Sequence, residues 1–389
     1  MPSALELPPA LRTLVETGWA LAARAPSARV ALARAAGLLD AAALPEPIRD
    51  AVTAELETAR EAACTPLDRR TVERALRDAW GRPVGQVLDD LDPEPLAVRA
   101  AAQTHRGVAD GTEVAVRVRR PGLERAVRND LALLDALAPV LGAALPRADA
   151  RGLLRAVREQ VLDELDFEHE ASLHRRVARV VRGIDGVTVP RAHAELCTEG
   201  VFVADVLDGR TLADGARPGD PGAAARALVA VHVAAARDAG LALLDPRPGH
   251  VLVLADGGIG LLGTGLAQPV DRARVEHVLT ALHALRDDDD DAFEQAIAAS
   301  GILPADAAAT AFDSARTVLG PMVSGPARLD ADALRETAIR AADVAADAFA
   351  LTADVQPRPD DLWLGRLAAQ LVPTLAVLEA TEDWPALTR

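Results

Sequence analysis

One segment limits what this chain can fold into more than any other. Residues 245–265 read Asp-Pro-Arg-Pro-Gly-His-Val-Leu-Val-Leu-Ala-Asp-Gly-Gly-Ile-Gly-Leu-Leu-Gly-Thr-Gly. Pro246, Pro248 and Gly249 impose a shaped loop, because proline fixes φ and glycine admits conformations closed to other residues. Val251–Leu254 favours a strand, Asp256-Gly257-Gly258 supplies a tight turn, and Ile259–Leu262 can return along the first strand. Gly263 and Gly265 then break the pattern. The segment therefore predicts a short hairpin held between two non-helical loops.

Most of the remaining chain reads as helix. Half of the 389 residues are hydrophobic but aromatics are 2%. The core must be built from Leu, Val and Ala, and Ala, Leu and Arg are strong helix formers. The length exceeds one average domain, which predicts two lobes. All 42 basic residues are arginine, so no catalytic lysine exists in this chain. The net charge of −16 and pI near 5.0 oppose nonspecific nucleic-acid binding. Cys64 and Cys197 fit no metal or redox spacing, which predicts a reduced, cytoplasmic chain. The first residues lack the basic and apolar regions of a signal peptide. No apolar run reaches the roughly 18 residues of a membrane span. Peripheral membrane contact stays open.

Along the chain, apolar residues at three- and four-residue spacing predict helices near 10–24, 47–63 and 69–80. Asp110-Gly111 signals a turn, and Val114–Val118 alternates as a strand. Helical stretches follow to about 144 and from about 149 to 182. Val187–Pro190 and Gly200–Val206 read as short strands, and 222–239 as an Ala-rich helix. From 271 the chain is helical, with breaks near 286–291, 301–305, 320–330 and 353–359. The acidic run Asp287–Asp291 lacks the spacing of a calcium loop and reads as a solvated lead into a helix.

Taken in order, several motifs resemble the UbiB/AarF group of atypical kinase-like proteins. They are Pro95-Leu96 with the Ala-rich stretch Ala97–Ala102, Gln103-x-His105-Arg106, Val114–Val118 with Arg120-Pro121-Gly122, Glu164-Leu165-Asp166-Phe167 with Glu170-Ala171, and Asp245-Pro246-x-Pro248-Gly249 with its hairpin. The likeness runs from about Leu44 to the C-terminus. It implies an α+β, helix-rich, bilobal protein-kinase-like fold with an all-helical N-terminal extension. The expected division is 1–90 for the extension, 91–206 for an N-lobe with inserted helices, and 207–389 for a helical C-lobe.

The resemblance also assigns positions. Ala97 and Ala100 lie in a nucleotide loop, and Asp205 and Glu170 lie in the nucleotide cleft. Arg117 stands where family members carry the strand lysine that pairs with phosphate and with Glu170. Asp245 matches the catalytic-loop aspartate, although Leu243 stands where the family usually has histidine and position 247 is Arg247 rather than histidine. His250 replaces a magnesium-ligating asparagine, and Gly263 replaces the metal-binding aspartate of the Asp-Phe-Gly segment. Magnesium prefers hard oxygen ligands in octahedral geometry, so an imidazole and a glycine serve it poorly. Phosphoryl transfer relies on metal-bridged phosphates and positioned charge. Arg117 is read first as a structural partner of Glu170, and Asp245 as a residue that caps its loop through backbone hydrogen bonds. Glu164 and Asp166 would meet the extension through a Lys-x-Gly-Gln element, but Ala33–Leu38 holds no match. That leaves an acidic helix face, with Arg34 as one candidate partner. Asp256 reads as a turn residue.

Three readings stand open. The first is a catalytically impaired pseudokinase with a regulatory or scaffolding role in quinone or isoprenoid-lipid metabolism. In it ATP is the candidate cofactor, magnesium is doubtful, and an unidentified protein or isoprenoid lipid is the partner. The second is an active, divergent ATPase or small-molecule kinase using Asp245, which needs Asp256 or Glu170 to converge on that residue. The third is a lipid- or partner-binding module without nucleotide.

Overall fold

The computed structural model describes residues 65–389 and, of the preceding segment, Thr13 alone, which lies in a helix. The expected helix 47–63, most of 10–24, Arg34 and Ala33–Leu38 lie outside the described residues. The expected helix at 69–80 is present as α1 (Arg69–Trp80), capped by Asp68 through Thr71 N.

A four-stranded antiparallel sheet follows, ordered β1 (Asp90–Val98), β2 (Ala102–Ala109), β3 (Thr112–Arg119) and β5 (Val201–Asp205). Between β3 and β5 the chain inserts α2 (Leu123–Leu131), α3 (Ala138–Ala144), α4 (Ala150–Asp163), α5 (Phe167–Val181) and the two-residue strand β4 (Val187–Thr188). The predicted helical stretch to 144 is thus broken by a 3-10 turn at Ala132–Leu137, and the one from 149 is broken at 164–166.

Strand alternation decides which side chains meet. Val114, Val116 and Val118 of β3 and Val201 and Val203 of β5 pack against Val72 and Leu76 of α1. The opposite parity sends Phe202 and Ala204 toward Phe167 and Ala171 of α5. Arg117 shares that second parity, so the alternation of β3 delivers its guanidinium to α5.

The rest of the chain is mainly helical. It contains β6 (Gly209–Thr211), α6 (Pro221–Arg237), β7 (Leu241–Leu243), β8 (Val251–Leu254), β9 (Ile259–Leu261) and β10 (Ala267–Pro269). It continues through α7 (Arg272–Asp287), α8 (Asp290–Ser300), α9 (Ala305–Val323), β11 (Ala327–Arg328), α10 (Ala331–Asp343), α11 (Ala345–Leu351), α12 (Pro359–Leu378) and β12 (Thr381–Glu382). The second core joins Leu173, Val177 and Val181 of α5 to α6 and to strands β7–β10. Helix α5 therefore contributes to both cores, and the expected helix-rich, bilobal α+β architecture is present. The acidic run resolves into local roles. Asp287 ends α7, Asp288 takes a left-handed conformation and pairs with Arg316 at 3.0 Å, and Asp289 caps α8.

Candidate active site

The hairpin expected from the sequence forms as β8 and β9, paired antiparallel with Val251 opposite Leu261. Leu262 N donates to His250 O at 2.8 Å, extending the ladder by one step. That register sets His250 beside Gly263. Gly263 has φ of +67°, and a Cβ there would lie 2.8 Å from His250 Nδ1 and 3.0 Å from Cε1. The imidazole thus fills the space into which a side chain at 263 would grow.

Asp245 is 8% exposed. Its carboxylate lies 3.2 Å from Arg247 Nη2 and 3.4 Å from His250 Nδ1. Arg247 Nη2 is 3.1 Å from His250 Nε2, and His250 Nδ1 is 3.0 Å from Asp245 O. A guanidinium only donates, so Nε2 accepts and Nδ1–H donates to the Asp245 carbonyl. Burial lowers the His250 pKa and favours the neutral ring, an effect the nearby Asp245 charge partly opposes. The expectation that Asp245 caps its loop through backbone amides is corrected. Its carboxylate faces Arg247 and His250 instead. Asp256 keeps its turn role, accepting from Gly258 N at 2.9 Å.

The upper part of the site is equally closed in. Arg117 donates to Glu170, which is 3% exposed. Its guanidinium lies 4.3 Å from the Phe167 ring centroid and 4.7 Å from that of Phe202. Two aromatic faces and one carboxylate compensate the cation, while Arg117 Nε has no hydrogen-bond partner among the described residues. Gly265 sits directly under α5, where a Cβ would come within 2.4 Å of Glu170 O. Thr264 Oγ1 lies 2.8 Å from His174 Nδ1, and His174 Nε2 meets Pro190 O. The proline carbonyl can only accept, so Nε2 carries the proton and Nδ1 accepts from Thr264. Arg117 and Glu170 thus form one group against Gly265, while Gly263, His250 and Asp245 form a second, joined to the first through the same short loop. Glu170 is held by Arg117 and Asp256 by its turn, so the convergence on Asp245 that a divergent active enzyme needs is not seen.

Other expected positions are placed differently. Ala97 belongs to β1, opposite Thr104, and Ala100 lies in the tight turn to β2, where Arg99 N donates to Ala102 O. The expected Ala-rich loop is thus a hairpin corner. Asp205 closes β5, and its carboxylate takes a 2.7 Å contact from His193 Nε2. Asp166 caps α5, accepting from Glu168 N and His169 N. The expected acidic helix face is corrected at Glu164, which is 8% exposed and bound by Gln160 and by Arg366 Nη2 of α12 at 2.9 Å. Buried Gln103 receives Leu67 N at 2.7 Å and contacts His105 Nε2, whose Nδ1 reaches Asp92 O. Gln103 and His105 of the Gln-x-His-Arg motif therefore anchor the chain entering α1 and the edge strand β1.

Arg366 and the Phe167–Phe202 pair were missed by sequence reasoning, and Arg247 was read only as a replacement for histidine. Arg247 alone had a local signal, an arginine two residues after Asp245 in a proline-bracketed loop.

Magnesium does not fit these residues. The two ligand positions hold a neutral imidazole and a glycine, and the remaining carboxylate faces a guanidinium. Among the described residues no group of three or more His, Cys, Asp or Glu could hold a metal ion. No described helix is long and apolar enough to cross a membrane.

The sequence profile of the ABC1 atypical kinase-like domain matches residues 60–297. AarF domain-containing protein kinase 1 of Xenopus tropicalis is 28% identical over 198 residues, which is 50% of this chain and 38% of that protein. Probable protein kinase UbiB of Aeromonas salmonicida is 31% identical over 144 residues, 36% of this chain and 26% of that protein. The matched stretch thus spans well under half of either relative. A solved structure described as the complex of Rv3197 with erythromycin, from Mycobacterium tuberculosis, superposes with a TM-score of 0.58 at 22% identity. It covers 86% of this chain and 90% of that one, a likeness of fold.

Proposed function

The chain belongs to the ABC1/AarF atypical kinase-like family, and from that premise we propose that it is a catalytically impaired pseudokinase whose role is regulatory or scaffolding. The observation that carries this reading is the interlock of His250 with Gly263. Kinase chemistry needs two oxygen-ligand positions to hold magnesium against the phosphates. Here one position is an imidazole and the other is the room that imidazole occupies. Arg247 supplies a fixed positive charge beside Asp245, which opposes a divalent cation at the same carboxylate. Arg117 is committed to Glu170 and stacked between two rings, so it is poorly placed to follow a moving phosphate.

The partner in this reading is another protein or an isoprenoid lipid of quinone metabolism, met at the cytoplasmic face of a membrane or in the cytoplasm. Nucleotide, where it binds, does so without magnesium. A thermal-shift titration with ATP, with and without magnesium, tests the proposal. A stabilisation that grows with ATP by mass action and ignores magnesium agrees with it, as does no stabilisation at all. A magnesium-dependent ATPase rate abolished by Asp245→Ala would overturn it.

A further inference from the structure

Outside the cleft, the inserted helices enclose a groove of about 720 Å³ between α3 and α4, lined by Arg151, Arg155, Arg158, Asp135, Asp149 and Pro139, among others. Its charges are unequally engaged. Arg158 is held by Leu131 O at 3.2 Å and by Asp135 at 2.7 Å. Asp149 is the cap of α4, accepting from Gly152 N at 2.9 Å. Arg151 and Arg155 are exposed and make no ion pair or hydrogen bond among the described residues. Asp135 is thus paired with Arg158 and Asp149 is spent on a backbone cap, so Arg151 and Arg155 are the two guanidinium groups of the lining without an ion pair among the described residues. They occur in a chain of net charge −16, where an unmatched positive pair runs against the overall field.

We propose that this groove binds a phosphate group, bridged by Arg151 and Arg155. The two residues stand one helical turn apart on one face, a rise of about 6 Å. Two planar forks at that spacing suit a tetrahedral phosphate, whose several oxygens accept from both. Ala138, Pro139 and Ala148 form a low apolar wall beside the cations, leaving room for the rest of a phosphate ester or diphosphate. The ligand is either a soluble phosphate compound or a lipid headgroup, since both present the same oxygens.

Calorimetric titration of the full chain with inorganic pyrophosphate tests the soluble arm. Sedimentation with phosphatidylglycerol vesicles, against phosphatidylcholine vesicles, tests the headgroup arm. Arg151→Ala/Arg155→Ala is expected to weaken the responding arm by about tenfold or more, with binding falling as salt rises. Arg151→Gln/Arg155→Gln, which removes the charge but keeps a polar side chain and similar helix propensity, should do the same while leaving the melting temperature unchanged. A response to pyrophosphate assigns a soluble ligand. A response to phosphatidylglycerol vesicles alone assigns a headgroup. Equal behaviour of wild type and both variants in both arms, including no binding in either, overturns the proposal.

Discussion

Because the His250 ring occupies the room above Gly263, the two positions are energetically coupled, and the coupling can be measured. Gly263→Ala adds one carbon at 2.8 Å from His250 Nδ1. That is about 0.7 Å inside an ordinary contact of roughly 3.5 Å. Overpacking of this kind costs about 1–3 kcal/mol. The left-handed backbone at Gly263, φ +67°, adds about 1–2 kcal/mol for any side chain. The single variant should therefore lose about 2–5 kcal/mol, the sum of those two effects. His250→Ala removes every atom in the clash but also discards the contacts to Asp245 O and Arg247. In the double variant the backbone cost remains and the steric cost vanishes. Urea denaturation of the four proteins, followed by tryptophan fluorescence, gives the coupling as a double-mutant cycle. The expected value is about 1–3 kcal/mol in favour of the double variant. Additivity within about 0.5 kcal/mol would refute the interlock.

Two further outcomes follow from buried charge. His232 is 4% exposed and donates Nδ1–H to Leu228 O, and burial lowers its pKa from 6.5 to about 4. A folded pKa below the unfolded one means the unfolded chain binds the extra proton. Stability is therefore full above pH 6.5 and falls as pH drops through that value toward about 4. His232 alone should cost about 2 kcal/mol at about pH 5, with buried His174 and His250 adding in the same direction. His232→Phe should flatten the measured slope, and an unchanged slope would count against the assignment. Arg117→Ala leaves the Glu170 carboxylate buried without its cation and should cost about 2–4 kcal/mol in urea unfolding, somewhat below a fully buried pair because Arg117 is a quarter exposed. Arg117→Lys should recover the charge but not the stacking between Phe167 and Phe202, landing between the two; full recovery would show that the rings contribute nothing.

What could be read in advance was local. Helix α1 and the β8–β9 hairpin follow from apolar spacing and turn residues within a dozen positions. The β1–β2 hairpin was hidden. Pro93 and Pro95 lie in β1, an edge strand whose pairing with β2 shifts register at Leu91/Pro95 and Pro95/Ala97, and an edge tolerates prolines that sequence rules count against a strand. The Ala run that follows reads as helix until the sheet overrides it. In the candidate site, the replacements at Arg117, His250 and Gly263 were legible as letters. Their meaning was not, because the contact between His250 and Gly263 depends on hairpin register. One partner of Glu164, Arg366, lies in α12, and no pattern within one helix points there.

That last pair also orders the birth of the molecule. Arg366 leaves the ribosome about 200 residues after Glu164, which at roughly 5–20 residues per second is a delay of about 10–40 s. Until then the carboxylate that will be enclosed beside Gln160 lacks the α12 guanidinium that lies 2.9 Å from it in the folded chain. The inserted helices are thus made well before α12, on which the end of α4 finally rests.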